Sequence, residues 1–154
     1  SDESYLDEQE TYLELEYSGF VPDSYIDDQM DKMEVYKKIA SIKTEDELIS
    51  ISEEIADRFG PLPDELQSLL ALAEIRILCY RLHISMLRER KGVVTITFAR
   101  LAQIDIDKAM EAIRVSGGSL RPDPSNAQNL ILHTQKVGLK EKSEFIREKL
   151  SSLL

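Results

Sequence analysis

The sequence is poor in the residues that metal and nucleophile chemistry draws on. It has one cysteine, Cys79, which excludes an internal disulfide and fits a reducing compartment such as the cytoplasm. Its two histidines, His83 and His133, stand fifty residues apart, without the Cys or His companions of a zinc site. There is no tryptophan. No run of about 18 apolar residues exists, so no membrane-spanning helix is available. Neither G-x-x-x-x-G-K-[ST] nor G-x-G-x-x-G occurs, which removes the two commonest phosphate-cradling loops. The opening SDESYLDEQE is acidic and lacks an apolar stretch, so it does not read as a secretory signal. The missing initial Met suggests an excised fragment or a processed chain.

What is present is a chain of 154 residues, 42% hydrophobic and 31% charged, enough for one domain with a core. The net charge of -10 is not spread evenly. Residues 1–34 hold twelve acids and one base, Lys32; residues 35–154 hold seventeen acids and eighteen bases. The acidity belongs to the N-terminal segment, and the body is nearly neutral. No basic stripe of the kind that neutralises phosphates is seen.

Hydrophobic periodicity predicts an α+β fold. Tyr12 to Tyr17 alternates with period two, which predicts a short strand needing a partner, in this domain or a neighbouring one. Gly19 and Pro22 break it. Asp27 or Asp28 is expected to cap a first helix to about Ser41, with Met33, Tyr36, Ile39 and Ala40 as its apolar side. Thr44 and Glu47 have capping-box spacing for a second helix, with Leu48, Ile51, Ile55 and Phe59 on one face and Gly60-Pro61 as the stop. The short connection makes these two helices antiparallel neighbours. A third helix runs to about Leu82. Leu66, Leu69, Leu70, Ala73, Ile77 and Tyr80 line one face, and Leu72, Ile75, Leu78, Cys79 and Leu82 the other. A helix apolar on two faces is buried on two sides.

The remainder reads β-β-α, β-β-α. Strands are expected at 84–89 and 93–98 around a Lys91-Gly92 turn, then a helix at 105–115. Two further strands at 119–122 and 129–133 precede a last helix at 139–154. The expected architecture is an N-terminal helical layer packed through a central helix on a layer of four short strands and their helices. The expected division is residues 1–30 as acidic lead and linker and 31–154 as one domain, with a helical half (31–83) and a strand–helix half (84–154).

No nucleophile–base constellation stands out, which argues against a small hydrolase. Cys79 lies on an apolar helix face and reads as an inert small hydrophobe. His83 follows a helix, where its ring can cap carbonyls, and His133 ends a strand. Glu53, Glu54 and Asp57 fall near the end of the second helix, and Glu54 and Asp57 point away from its core face. An exposed face offers no pocket for acid–base catalysis. Two acids three residues apart do make a compact docking point for a basic surface. Arg88, Glu89, Arg90 and Lys91 read as a polar hairpin that protects a strand edge, with a weak nucleic-acid contact as the other reading.

Tyr36-Lys37-Lys38-Ile39-Ala40, Thr44-Glu45-Asp46-Glu47-Leu48 and Asp57-Arg58-Phe59-Gly60-Pro61-Leu62-Pro63, continued by Leu69-Leu70, Ala73, Ile75 and Arg76, resemble the signature of the bacterial transcription-repair coupling factor (Mfd) family, in its C-terminal domain. Gly19 to Ile26 resembles the connection leaving that family's motor. The likeness spans about residues 12–154 and is most specific from Tyr36 to Arg76. It implies a non-catalytic regulatory domain of a cytoplasmic ATP-dependent DNA translocase, with no catalytic, cofactor-binding or metal residues of its own. It also implies docking on the N-terminal UvrB-like module of the same protein, hiding the surface used by UvrA in nucleotide excision repair. RNA polymerase, UvrA and DNA would be partners of the full-length protein, and no membrane is involved. On this likeness Glu54 and Asp57, with Arg58, map onto the acidic docking face. The alternative is a nucleic-acid-contacting accessory module of the same translocase, through Arg88 to Lys91.

Overall fold

Short polar side chains start the first two helices. The Asp28 carboxylate accepts from the Asp31 amide at 2.9 Å and opens α1 (Gln29–Ala40). Thr44 Oγ1 accepts from the Glu47 amide at 3.1 Å and opens α2 (Glu45–Phe59). Each bond satisfies one of the amides that a helix start leaves unpaired. Glu47 also meets the Thr44 hydroxyl at 3.2 Å, so both side chains of the expected capping box are in contact. Gly60 ends α2 at φ 100°, its N–H bonded to the Ala56 carbonyl at 2.9 Å. The third helix, α3, spans Asp64–Arg81. These features come from a computed structural model that describes residues 10–100 and 104–154.

The described chain forms two compact units. One contains residues 17–77 and 138–147, and the other the remainder. The core of the first is built from Val21, Ile26, Val35, Ile39, Ile55 and Leu66, among others, with Tyr25, Leu48, Ile51 and Phe59 packed against it. The α2 face is the one its spacing predicts. The α1 face is not. Val35 and Ile39 are buried, while Met33, Tyr36 and Ala40 are exposed. The reason is that Tyr36 uses its hydroxyl as an acceptor, taking the Val21 amide at 2.8 Å, and so lies across the surface. α3 is buried on both predicted faces except at Leu69, which is half-buried, and Tyr80, which is 51% exposed. Each fully buried Leu or Ile contributes about 1.5–3 kcal/mol relative to exposure.

Residues 17–28 are strapped onto this unit. The Phe20 amide donates to the Glu65 carbonyl at 3.2 Å, and the Tyr25 hydroxyl to the Gly60 carbonyl at 2.6 Å. Gly19 (φ 79°) makes the approach possible, because a Cβ there would stand 2.4 Å from the Glu65 carbonyl oxygen.

The second unit is a sheet of β1 (Tyr12–Glu14), β2 (Ile84–Arg90), β3 (Val93–Phe98), β4 (Leu120–Pro122) and β5 (Asn129–His133) in the order β1-β2-β3-β5-β4. Four of these strands form the expected layer, and the fifth is the separately expected N-terminal strand. It finds its partner in this chain, pairing parallel with β2 at Tyr12↔Met86, Leu13↔Leu87 and Glu14↔Arg88. It is shorter than its alternation suggests, because the Glu16 amide leaves the ladder for the Glu89 carboxylate at 3.1 Å. The other pairings are antiparallel. Lys91 (φ 51°) and Gly92 (φ 74°) form the β2–β3 turn with the two positive φ angles that a tight hairpin requires. Val94, Ile96 and Phe98 alternate into the core. The helix α4 (Ile106–Val115), capped by Asp105, lies next to β4. After β5 a 3₁₀ turn at Leu139–Glu141 leads into α5 (Lys142–Ser151). With five α-helices and a mixed sheet among the described residues, the chain is α+β.

Candidate functional site

α1 and α2 meet along a seam whose outer edge is a ladder of ion pairs. Near one end the Arg58 guanidinium bonds Asp31 at 2.9 Å and reaches Glu34 at 3.8 Å. One helical turn along, Lys38 closes on Glu54 and lies 3.5 Å from Glu34. Positions rise along α1 as they fall along α2, so the helices are antiparallel, as the short connection requires. Behind the ladder, Val35 and Ile55 form the apolar floor. The groove between has about 10 Å³ of free volume, about the room one water needs. Arg58 also lies over the Phe59 ring at 4.7 Å, a cation–π contact that fixes its plane.

The predicted site residues separate here. Glu54, Asp57 and Arg58 are all exposed, and Glu54 and Arg58 are held across the seam by α1. Asp57, in the last turn of α2, points outward with no ion pair or hydrogen bond among the described residues. The Glu54 carboxylate and, secondarily, the Glu34 charge hold Lys38 above the usual lysine range. The acidic pair read from the sequence is therefore one free carboxylate beside one already neutralised. Sequence reasoning missed Asp31, Glu34 and Lys38 as members of the cluster. The i,i+4 spacing of Glu34 and Lys38 was a legible signal. The pairing across helices was not.

The basic run at the hairpin is not a free basic patch. Arg88 donates to Glu14 at 2.9 Å, and Arg90 lies 3.3 Å from it. Hydrogen bonding from Arg88, then Arg90, holds the Glu14 carboxyl below its usual range. Arg88 also lies over the Tyr12 ring at 5.9 Å. Glu89, expected in the polar turn, is instead buried. Alternation along β2 turns it to the opposite side from Arg88 and Arg90. The edge of β2 is covered by β1, so the hairpin does not guard that edge.

Burial pushes the Cys79 thiol up to about 12. The His83 backbone joins the end of α3 to the chain after β3. At φ 57° its N–H donates to the Tyr80 carbonyl at 3.2 Å, and its own carbonyl accepts from the Ala99 amide at 2.8 Å. His133 is the last residue of β5. Among the described residues no three His, Cys, Asp or Glu side chains are placed to share a metal ion, and no helix is long and apolar enough to cross a membrane.

A family profile described as the TRCF domain matches residues 15–109. The transcription-repair-coupling factor of Borreliella burgdorferi is 34% identical over 147 residues, covering 96% of this chain and 13% of that protein. The Escherichia coli (strain K12) transcription-repair-coupling factor is 42% identical over 91 residues, covering 58% of this chain and 8% of that protein. The chain thus spans a small part of the curated relatives it matches. The crystal structure of a C-terminal domain of transcription-repair coupling factor superposes with a TM-score of 0.77 at 26% identity, covering 94% of this chain and 91% of that one. With the profile spanning more than half of the sequence and the solved domain matching 94% of the chain, the chain belongs to the TRCF domain family, the C-terminal domain of transcription-repair coupling factors.

Proposed function

We propose that this domain is the non-catalytic regulatory end of a transcription-repair coupling ATPase. It docks on the N-terminal UvrB-like module of the same protein and masks the UvrA-binding surface during nucleotide excision repair. The observation that carries the reading is Asp57. It is exposed, unpaired among the described residues, and placed at the helix end where a carboxylate is mildly unfavourable. A basic surface would relieve that placement, with Glu54 and Arg58 flanking the contact. RNA polymerase, UvrA and DNA are then partners of the full-length protein in the cytoplasm.

Weak contacts suffice for such a switch. A tethered domain meets its site at an effective concentration of roughly millimolar. An intrinsic affinity of about 10 μM would hold the closed state near ~99%, and opening would cost about 2.7 kcal/mol. A small, polar, reversible face fits that scale. The pairing of Arg88 and Arg90 with Glu14 weighs against the DNA-contacting alternative.

The test is charge reversal in the full-length protein. Asp57→Lys with Glu54→Lys should raise UvrA affinity towards a ceiling of about a hundredfold, while the domain keeps its fold by circular dichroism. Unaltered UvrA binding by the reversed protein overturns the proposal.

A further inference from the structure

We infer that Lys38 is a built-in competitor for the docking face, which sets how tightly the domain closes; the inference rests on the docking reading above. Glu54 is not free to meet an outside cation, because Lys38 already occupies its carboxylate. Lys38 is supported from its other side by Glu34, one turn back on α1. Arg58 occupies Asp31 and borders Glu34. The ladder thus sets two cations against three carboxylates, and Asp57 adds a fourth acid outside it.

A basic partner arriving at Asp57 meets a choice at Glu54. It displaces Lys38 and takes both acids, or it leaves Lys38 in place and takes one. Displacement is open to it, since the Lys38 and Glu54 side chains are 34% and 54% exposed, so water can replace either contact. Exposed pairs of this kind are weak and salt-screened. Lys38 therefore weakens the docked state without preventing it. Its contribution has the opposite sign to that of Glu54 and Asp57, although all three lie on one surface. The partner is a guanidinium- or ammonium-bearing face, since only a cation gains from what Lys38 gives up, and the docking reading puts that face on the same polypeptide.

Lys38→Met keeps most of the aliphatic stem and removes the charge. In the full-length protein it should lower UvrA affinity about two- to fivefold, the scale of one exposed pair, because the closed state is favoured. In a Glu54→Lys background, Lys38→Met should have no such effect, since the contested carboxylate is gone. The thermal midpoint of the isolated domain should stay within about 2 °C. Unchanged or raised UvrA affinity in Lys38→Met, with the charge-reversed protein still opening, overturns the competitor role alone. If the charge-reversed protein does not open, the docking reading itself has failed. Equal effects of Lys38→Met with and without Glu54→Lys would show that Lys38 acts elsewhere, and would also overturn the inference.

Discussion

Glu89 Oε2 accepts from the Thr134 hydroxyl at 2.6 Å, joining two side chains 45 residues apart inside the sheet unit. The other carboxylate oxygen takes the Glu16 amide at 3.1 Å. The Glu16 carboxylate in turn takes the Gly92 amide at 3.2 Å, and the Thr134 amide donates to the Gly92 carbonyl at 2.8 Å. One buried acid thus helps tie together the chain after β1, the β2–β3 turn and the chain after β5. Glu89→Ala leaves an amide and a hydroxyl without their acceptor, and should cost about 2–3 kcal/mol in urea unfolding. Glu89→Gln keeps one acceptor oxygen and should cost less. A loss below about 0.5 kcal/mol for the alanine variant would contradict this account.

Gly19 and Gly60 both have positive φ, but only Gly19 is crowded. A methyl group at Gly60 meets nothing within 4 Å, so Gly60→Ala should cost about 1 kcal/mol from the backbone alone. Gly19→Ala must also push residues 17–28 off the α3 backbone. It should cost at least about 2 kcal/mol and expose Val21 and Ile26 to faster hydrogen exchange. Equal stability of the two variants would sink the close-approach argument.

The attachment of β1 should weaken in acid and in salt. Arg88 and Arg90 depress the Glu14 pKa, so the contribution is complete above the ordinary glutamate value of about 4.3. It is lost as the pH falls through the lower folded value. Amide protection of Tyr12 to Glu14 should fall there, and also between about 0.1 and about 1 M salt at neutral pH. Protection across β3 and β5 should persist. Glu14→Gln should reproduce the loss at neutral pH, with Glu111→Gln, which breaks an unrelated surface pair with Arg114, as the control.

Cys79 is fully buried, with its thiol pushed to about 12. Thiol-specific reagents at neutral pH should label it only as fast as the domain opens. Rapid stoichiometric labelling of the native domain would show that it is accessible after all.

Ser143 is 1% exposed, and its hydroxyl has no hydrogen-bond partner among the described residues. Ser143→Ala removes that buried hydroxyl and should raise stability by about 1 kcal/mol in denaturant unfolding. A destabilised alanine variant would reveal a bond that the hydroxyl makes in solution.

The sequence by itself determined the local grammar. Asp28, Thr44, Gly60, Asp105 and Lys91-Gly92 begin and end elements where they do because capping and turn geometry depend on a few neighbouring residues. The α2 face and the double burial of α3 were legible for the same reason, since periodicity is a local property. The apolar face of α1 was misread at Met33, Tyr36 and Ala40. Periodicity alone could not reveal that the Val21 backbone would claim the Tyr36 hydroxyl. Only the tertiary structure decided which charges are free. Glu54 and Asp57 look alike along the chain, yet Lys38 neutralises one and leaves the other. Arg88 to Lys91 reads as one polar turn, yet it divides into two arginines paired with Glu14 and a buried Glu89. An ion pair depends on distances between segments far apart in the chain, which spacing along it does not encode.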